Sequence, residues 1–273
     1  VDEVLNTPLT ILDKADTASA DAREYVGHVA FNDVSFRFPD AEEDVLREIS
    51  FTAKPGETTA IIGSTGSGKS TLINLIPRLF DVTEGSITID GVDIRDMSQH
   101  KLRSLIGVVP QKGMLFNGTI TSNLKFGKAD ISEEEIRKAA EIAQAAEFIE
   151  LKEEQYESPI SQGGGNVSGG QKQRLSIARA IAKQPKVFIF DDSFSALDYK
   201  TDAALRKALN KNVADATVLI VAQRISTILR ADKIIVLDEG RICGIGTHRE
   251  LLKTCEVYRE IASSQLSATE LGA

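Results

Sequence analysis

Gly63-Ser64-Thr65-Gly66-Ser67-Gly68-Lys69-Ser70-Thr71 is the stretch that decides the fold. It satisfies G-x-x-x-x-G-K-[ST]. It follows Thr58–Ile62, a short apolar strand pattern, and opens Thr71–Phe80, which reads as a helix. A glycine loop between a strand and a helix is the context that gives the pattern chemical meaning. The glycines let the backbone wrap an anion with successive N–H groups pointing inward. The helix N-terminus adds positive potential. In such a loop Lys69 reaches the β- and γ-phosphates and the Ser70 hydroxyl ligates Mg²⁺. The expected ligand is therefore a nucleoside triphosphate with Mg²⁺.

Outward from the loop, a second acidic site follows. Val187-Phe188-Ile189-Phe190-Asp191-Asp192 is an apolar strand ending in two acids. Asp191, at the strand's C-terminal end, is placed to hold Mg²⁺, often through water. Asp192 is placed to polarise an attacking water. Upstream, Val29–Phe31, Val34–Phe38 and Ile49–Phe51 alternate apolar and polar residues with period two, around an acidic turn at Pro39–Asp44. Gly85–Ile89 and Ile106–Val109 read as further strands, the second leading into Pro110-Gln111. Ser132-Glu133-Glu134-Glu135 is a capping box that opens a helical stretch to about Leu151. Gln162–Gly170 is a glycine-rich loop, followed by a helix over Gln171–Ala182. Thr217–Ala222 and Lys233–Leu237 are two more strands, and the chain from His248 is helical to about Ser264. Strands alternating with helices predict an α/β fold. Its phosphate-loop core is a mostly parallel sheet with helices on both faces, joined by an antiparallel β subdomain and a helical subdomain.

Composition sets the outer limits. The chain has 273 residues, 42% of them hydrophobic, enough to bury a substantial core. Its formal net charge of −8 argues against sequence-independent nucleic-acid binding, which needs a basic surface. Cys243 and Cys255 form neither a zinc pattern nor a disulfide framework. No apolar run approaches the ~20 residues needed to cross a bilayer. No signal peptide is visible, so the chain as given reads as cytoplasmic.

Val167-Ser168-Gly169-Gly170-Gln171-Lys172-Gln173-Arg174 resembles the L-S-G-G-Q-x-Q-R signature of the ATP-binding-cassette (ABC) superfamily, with Val at the first position. It falls between the phosphate loop and the Asp191 strand, as that family requires. Gln111 resembles the family's Q-loop glutamine, which contacts the metal. Ser195-Ala196-Leu197-Asp198 resembles its D-loop, and Phe38 sits where the family stacks an aromatic on adenine. The match covers roughly residues 28–262. The resemblance implies that two such domains meet head to tail, each ATP lying between the phosphate loop of one and the signature of the other. Ser168 and the N–H groups of Gly169 and Gly170, at a helix N-terminus, suit a γ-phosphate; Gln171 completes the signature. Leu115–Ile120, and Val1-Asp2-Glu3-Val4-Leu5-Asn6-Thr7-Pro8 at the start, resemble the exporter branch. The domain expectations follow. Residues 1–27 are a linker from a membrane domain upstream, and residues 28–264 the ATP-binding domain at the cytoplasmic face of a membrane. About 115–175 form its helical subdomain, and 265–273 a flexible tail.

Two residues depart from the family's pattern. Its general base is Glu, where this chain has Asp192. Its switch histidine lies in A-H-R, where this chain reads Ala222-Gln223-Arg224. Asp is one methylene shorter, so its carboxylate retreats by roughly 1.5 Å, about one C–C bond. Misplacement by ~1 Å can slow a reaction about 10²-fold. Gln223 can donate a hydrogen bond but cannot carry imidazolium charge. Binding rests on the loop, Lys69 and Mg²⁺, all intact. The expectation is a site that binds ATP well and hydrolyses it slowly, resembling the degenerate half of heterodimeric exporters. The partner would then be a non-identical subunit. Gln162 also departs from the Glu that many exporters carry there. Similar signatures occur in importer ATPase subunits and in chromosomal clamps. The clamps insert a long coiled coil, whereas here only about 100 residues, with no heptad repeat, separate Lys69 from Ser168.

Overall fold

The structure, a computed structural model, describes residues 10–266. The first half runs α1 (Ala18–Asp21), β1 (Val29–Phe36), β2 (Leu46–Ala53), β3 (Thr58–Gly63), α2 (Lys69–Leu75), β4 (Glu84–Ile89), β5 (Val92–Asp93), α3 (Gln99–Ser104) and β6 (Ile106–Val109). A helical region follows with β7 (Gly118–Thr119), α4 (Ile120–Leu124), α5 (Glu133–Ile142), α6 (Ala146–Glu150), β8 (Pro159–Ile160) and α7 (Gly169–Ala182). The chain then continues through β9 (Val187–Asp191), α8 (Tyr199–Asn212), β10 (Thr217–Val221), α9 (Ile225–Ile228), β11 (Lys233–Asp238), β12 (Arg241–Gly246), α10 (His248–Thr254) and α11 (Glu256–Gln265).

Six strands form the main sheet in the order β12-β11-β3-β10-β9-β6. Every pairing from β11 to β6 is parallel, and β12 is an antiparallel edge strand. A second, antiparallel sheet has the order β2-β1-β4-β5. The central strands are apolar without interruption because both faces are covered. Their alternate residues serve two cores. Ile62, Phe188, Phe190 and Val236 face one core, with the helical region, α7 and α11. Ile61, Ile189, Leu219 and Leu237 face the other, with the antiparallel sheet, α2 and α3. Phe31 of β1 stacks on Phe51 of β2 at 4.5 Å and seals that second core.

Two helices end earlier than the sequence predicts. The phosphate-loop helix starts at Lys69 and stops at Leu75, not at Phe80. Arg78 there has φ 54°, with bonds from Arg78 N to Leu75 O and from Leu79 N to Asn74 O. The stretch expected to run to Leu151 breaks at Gln144, φ 57°, by the same pattern: Gln144 N to Glu141 O and Ala145 N to Ala140 O. Both are Schellman endings, which usually carry glycine at the left-handed position. Here Arg78 is held instead by its ion pair with Asp81. The Gln144 carbonyl is held by Arg174 Nη1 at 2.6 Å.

Residues 10–27, read from the sequence as part of a linker, are bound to the body. The Asp90 carboxylate accepts the amides of Val26, Gly27 and His28 at 2.8, 3.0 and 2.9 Å. Asp13 and Asp21 accept the amides of Gln99 and Ser98, the first at 2.9 Å and the second at 3.0 Å. Leu12 O accepts from Arg78 at 3.1 Å. At the other end Gln265, placed by the sequence in the tail, is the last residue of α11. The exporter-like start Val1–Pro8 and residues 267–273 lie outside the described residues. The thiols of Cys243 and Cys255 are free, 3.9 Å apart. Among the described residues no helix is long and apolar enough to cross a membrane.

The Asp90 clasp is testable. Asp90 has φ 51° and makes three backbone bonds. Asp90→Ala removes all three and puts an alanine in the left-handed region. It is expected to destabilise the chain by about 2–4 kcal/mol in urea unfolding. It is also expected to open Arg23 to trypsin. An unchanged midpoint and digestion pattern would show that the arm is held by something else.

Candidate functional site

The site forms where four parallel strands end. β3 ends at Gly63, β9 at Asp191, β10 at Val221 and β6 at Val109, and the loops that follow them meet in one cleft of about 500 Å³. Its lining includes Gly63, Ser64, Thr65, Gly66, Gly68, Lys69, Ser70, Thr71, Gln111, Asp191, Asp192 and Gln223. Two glycines are sterically required. A Cβ on Gly63 would lie 2.0 Å from Leu237 O, and one on Gly68, where φ is 99°, would lie 2.8 Å from Leu46 Cδ2.

Polar contacts order the cleft. Lys69 Nζ donates to Gly63 O at 2.9 Å, to Ser64 O at 2.6 Å and to Ser67 Oγ at 3.3 Å. The Ser67 side chain is buried behind the loop, so it supports the lysine and is absent from the cleft lining. Ser70 Oγ donates to Asp191 Oδ1 at 3.3 Å, and Gln111 Nε2 donates to Asp192 Oδ2 at 3.3 Å. Asp192 has φ 44°; its N–H donates to Val221 O at 2.9 Å and its carbonyl accepts from Ser195 Oγ at 2.8 Å. Burial pushes the Lys69 ammonium below its ordinary pKa, against the opposing pull of Asp191 and Asp192. Burial also pushes the Asp191 carboxyl up, and the Asp192 charge adds to it, while Ser70 and Lys69 work the other way.

Other predicted residues lie elsewhere. Ser168, Gly169, Gly170 and Gln171 are outside this cleft, at the start of α7. Ser168 Oγ accepts from Gln171 N at 3.2 Å, and Gln171 Oε1 accepts from Ser168 N at 3.0 Å. Ser168 and Gly169 are exposed and Gly170 is half-buried, and a helix N-terminus leaves its first-turn amides without intrahelical partners. Asp198 caps α8 through Thr201 N at 3.0 Å, and those bonds hold its carboxyl below the usual range. Phe38 is also outside the lining. It packs edge-on to Phe36 and Phe80, with centroids 4.9 and 5.3 Å away.

The sequence reading missed five lining residues, Val45, Val221, Ile261, Ser264 and Gln265. Gln173, quoted in the signature but given no role of its own by the sequence reading, is buried in α7. Gln173 Oε1 accepts from Gly113 N at 2.8 Å and Nε2 donates to Pro110 O at 3.1 Å, so it clasps the backbone on both sides of Gln111. Its place in the L-S-G-G-Q-x-Q-R pattern marks it, but its grip on the Gln111 loop is a tertiary contact with no sequence signal.

Residues 46–195 match the family described as ABC transporter. An uncharacterized ABC transporter ATP-binding protein of Mycobacterium tuberculosis is 46% identical over 98% of this chain and 46% of its own length. A β-(1→2)glucan export ATP-binding/permease protein of Rhodopseudomonas palustris is 43% identical over 98% of this chain and 44% of its own length. Among solved structures, a bacterial Atm1-family ABC exporter with ATP bound superposes with a TM-score of 0.91 at 34% identity. That match covers 97% of this chain and 46% of the exporter chain. The chain thus spans about half the length of the relatives it matches.

Asp191 supplies a pH test. A carboxyl with a raised folded-state pKa binds more protons folded than unfolded between its two pKa values. Stability therefore falls as pH rises through that window, and the penalty is fully present at neutral pH. Asp191→Asn removes it. The variant is expected to melt higher than the parent at pH 7, with the advantage fading as pH falls from the raised folded-state pKa toward the unfolded value and gone below about 4. A shift of equal size at every pH would sink the electrostatic account.

Proposed function

The chain belongs to the ABC transporter family, and we propose that it is the exporter-type nucleotide-binding domain of a longer transporter, with its own site impaired in hydrolysis. The observation that carries this reading is the content of one cleft. A complete phosphate loop lies beside Asp191, Asp192, Gln111 and Gln223. Binding groups are all present, whereas the two groups that would drive attack by water are short or uncharged.

The loop amides, Lys69 and Ser70 bind the triphosphate. Ser70, Asp191 and Gln111 offer a hydroxyl, a carboxylate and an amide oxygen, a donor set of the kind Mg²⁺ accepts alongside water and phosphate oxygens. When bound, that ion neutralises charge on the β- and γ-phosphates. Asp192 cannot compensate for its missing methylene by a shift of backbone. Its N–H is held by Val221 O and its carbonyl by Ser195 Oγ. The carboxylate therefore stays roughly 1.5 Å back from where a Glu would place it. Phe38, exposed beside Phe36 and Phe80, is the aromatic that this reading assigns to adenine.

The capping box at Ser168–Gln171 completes the site of a second nucleotide-binding domain. The impaired catalytic pair favours a non-identical partner that carries the Glu and His. Asp198 joins that interface. The relatives named as export ATP-binding/permease proteins are about twice as long as this chain. This supports membrane domains within the same transporter, an assembly at the cytoplasmic face of a membrane, and export of a substrate.

The reading predicts tight Mg·ATP binding and slow turnover by the chain, and loss of binding in Lys69→Met. The pair Asp192→Glu with Gln223→His is expected to raise turnover at least ~10-fold, within the roughly 10²-fold range that misplacement spans. The assay uses chain concentrations at which a second copy can supply its signature. Brisk hydrolysis by the parent chain, or no gain in the pair, would refute the impaired site.

A further inference from the structure

We propose that Gln265, on the last helical turn of the C-terminal helix α11, is a positioning residue that sets Gln223 against the terminal phosphate. The proposal rests on the reading of Gln223 as a phosphate contact.

Gln265 is remote in sequence from the phosphate loop, yet it lines the same cleft with Ile261 and Ser264. Its side-chain amide makes two bonds to one short segment. Nε2 donates to Gln223 O at 2.9 Å, and Oε1 accepts from Ile225 N at 2.9 Å. The fork therefore spans Arg224 and fixes the backbone on both sides of it. A primary amide is the group that carries a donor and an acceptor at one tip, as this geometry requires.

The segment lacks its own means of doing this. Ala222 N is tied to Ile61 O at 3.1 Å, the last sheet bond before the chain leaves β10. The next element, α9, is a four-residue helix whose N-cap, Arg224, makes no side-chain capping bond. Helix N-termini leave amides without intrahelical partners, and Gln265 takes the one at Ile225. The Gln223 side chain is exposed in the cleft, so its direction depends on how its backbone is held.

The support behind Gln265 is rigid. α11 buries Tyr258 and Ala262 completely. The Tyr258 hydroxyl is bonded to His248 Nδ1 at 2.8 Å, which locks α11 to α10. Gln265 is exposed, and among the described residues its two side-chain bonds both go to this segment.

The test compares the affinities of Mg·ATP and Mg·ADP for the whole chain by titration calorimetry, because only the γ-phosphate distinguishes them. The variants are Gln265→Leu, Gln265→Glu, Gln223→Ala and the double Gln223→Ala/Gln265→Leu. ADP affinity is expected to stay within about 2-fold in all four, which also certifies the phosphate loop. ATP affinity is expected to fall about 3- to 10-fold in Gln265→Leu and in Gln223→Ala, the scale of one lost hydrogen bond. The double variant is expected to lose no more than the larger single loss. Gln265→Glu keeps an acceptor for Ile225 N but no donor for Gln223 O, and is expected to be intermediate. It carries the test alone if the leucine variant does not fold. If Gln223→Ala lowers the ATP:ADP preference and neither Gln265 variant does, the positioning role is wrong and the reading of Gln223 stands. Losses that multiply in the double variant also overturn it. If Gln223→Ala leaves the preference unchanged, the reading of Gln223 fails and the proposal falls with it.

Discussion

The contact between Gly63 and the Leu237 carbonyl governs where the cleft can be. The two residues pair across β3 and β11, and a Cβ at Gly63 would sit 2.0 Å from that oxygen. Only glycine lets the central strand stay in register and then turn at once into the loop. β3 lies between β11 and β10, so its exit point fixes the neighbours too. Val221 ends β10 two residues before Gln223, Asp191 ends β9, and Val109 ends β6 two residues before Gln111. Strands in a parallel sheet all end on one edge, which is why residues far apart in sequence share one cleft.

That edge concentrates charge in a partly buried space. Lys69 and Asp191 are each driven toward neutrality by burial, and each is drawn back by the other. The Asp192 charge raises Asp191 while favouring the Lys69 ammonium. Such an arrangement is poor for stability and apt for an anionic ligand with a divalent ion, since added positive charge relieves the acids and phosphate relieves the lysine. The backbone around Asp192 is part of the same compromise. A non-glycine residue at φ 44° is uncommon, and Asp adopts it more readily than Glu. The shorter acid thus eases the local conformation at the position where the proposed function has it weaken the chemistry.

The sequence made the phosphate loop, the alternating strands and the Ser132 capping box readable because each is a local pattern. Helix ends were less readable. Arg78 and Gln144 take left-handed conformations that glycine usually marks, and what holds them, Asp81 and Arg174, follows no sequence rule. The bound arm was hidden for a related reason. Its partner Asp90 is more than sixty residues away in the turn after β4, and looks like an ordinary turn acid. In the cleft, residues joined by one motif were found, whereas Val45 and the α11 residues enter only through tertiary packing. Phe38 is identified from the sequence only by resemblance. Its position among Phe36 and Phe80 shows an aromatic cluster at the end of β1 that also has a packing role.

The helix α7 joins the two ends of the chain's chemistry. Its first turn is the Ser168–Gln171 capping box. One turn later Gln173 grips Pro110 and Gly113, and Gln111 between them touches Asp192. Gly113 lies so flat on the helix that a Cβ would come within 2.9 Å of Lys172 O and Ser176 Oγ. Two turns further, Arg179 holds Met114 O and Asn123. The loop from Pro110 to Met114 therefore has no independent freedom to slide along α7. A rigid rotation of α7 that moves the Ser168 end carries the backbone on both sides of Gln111 with it. Packed elements of this kind move as bodies rather than deform, so the signature and the glutamine loop are mechanically one part.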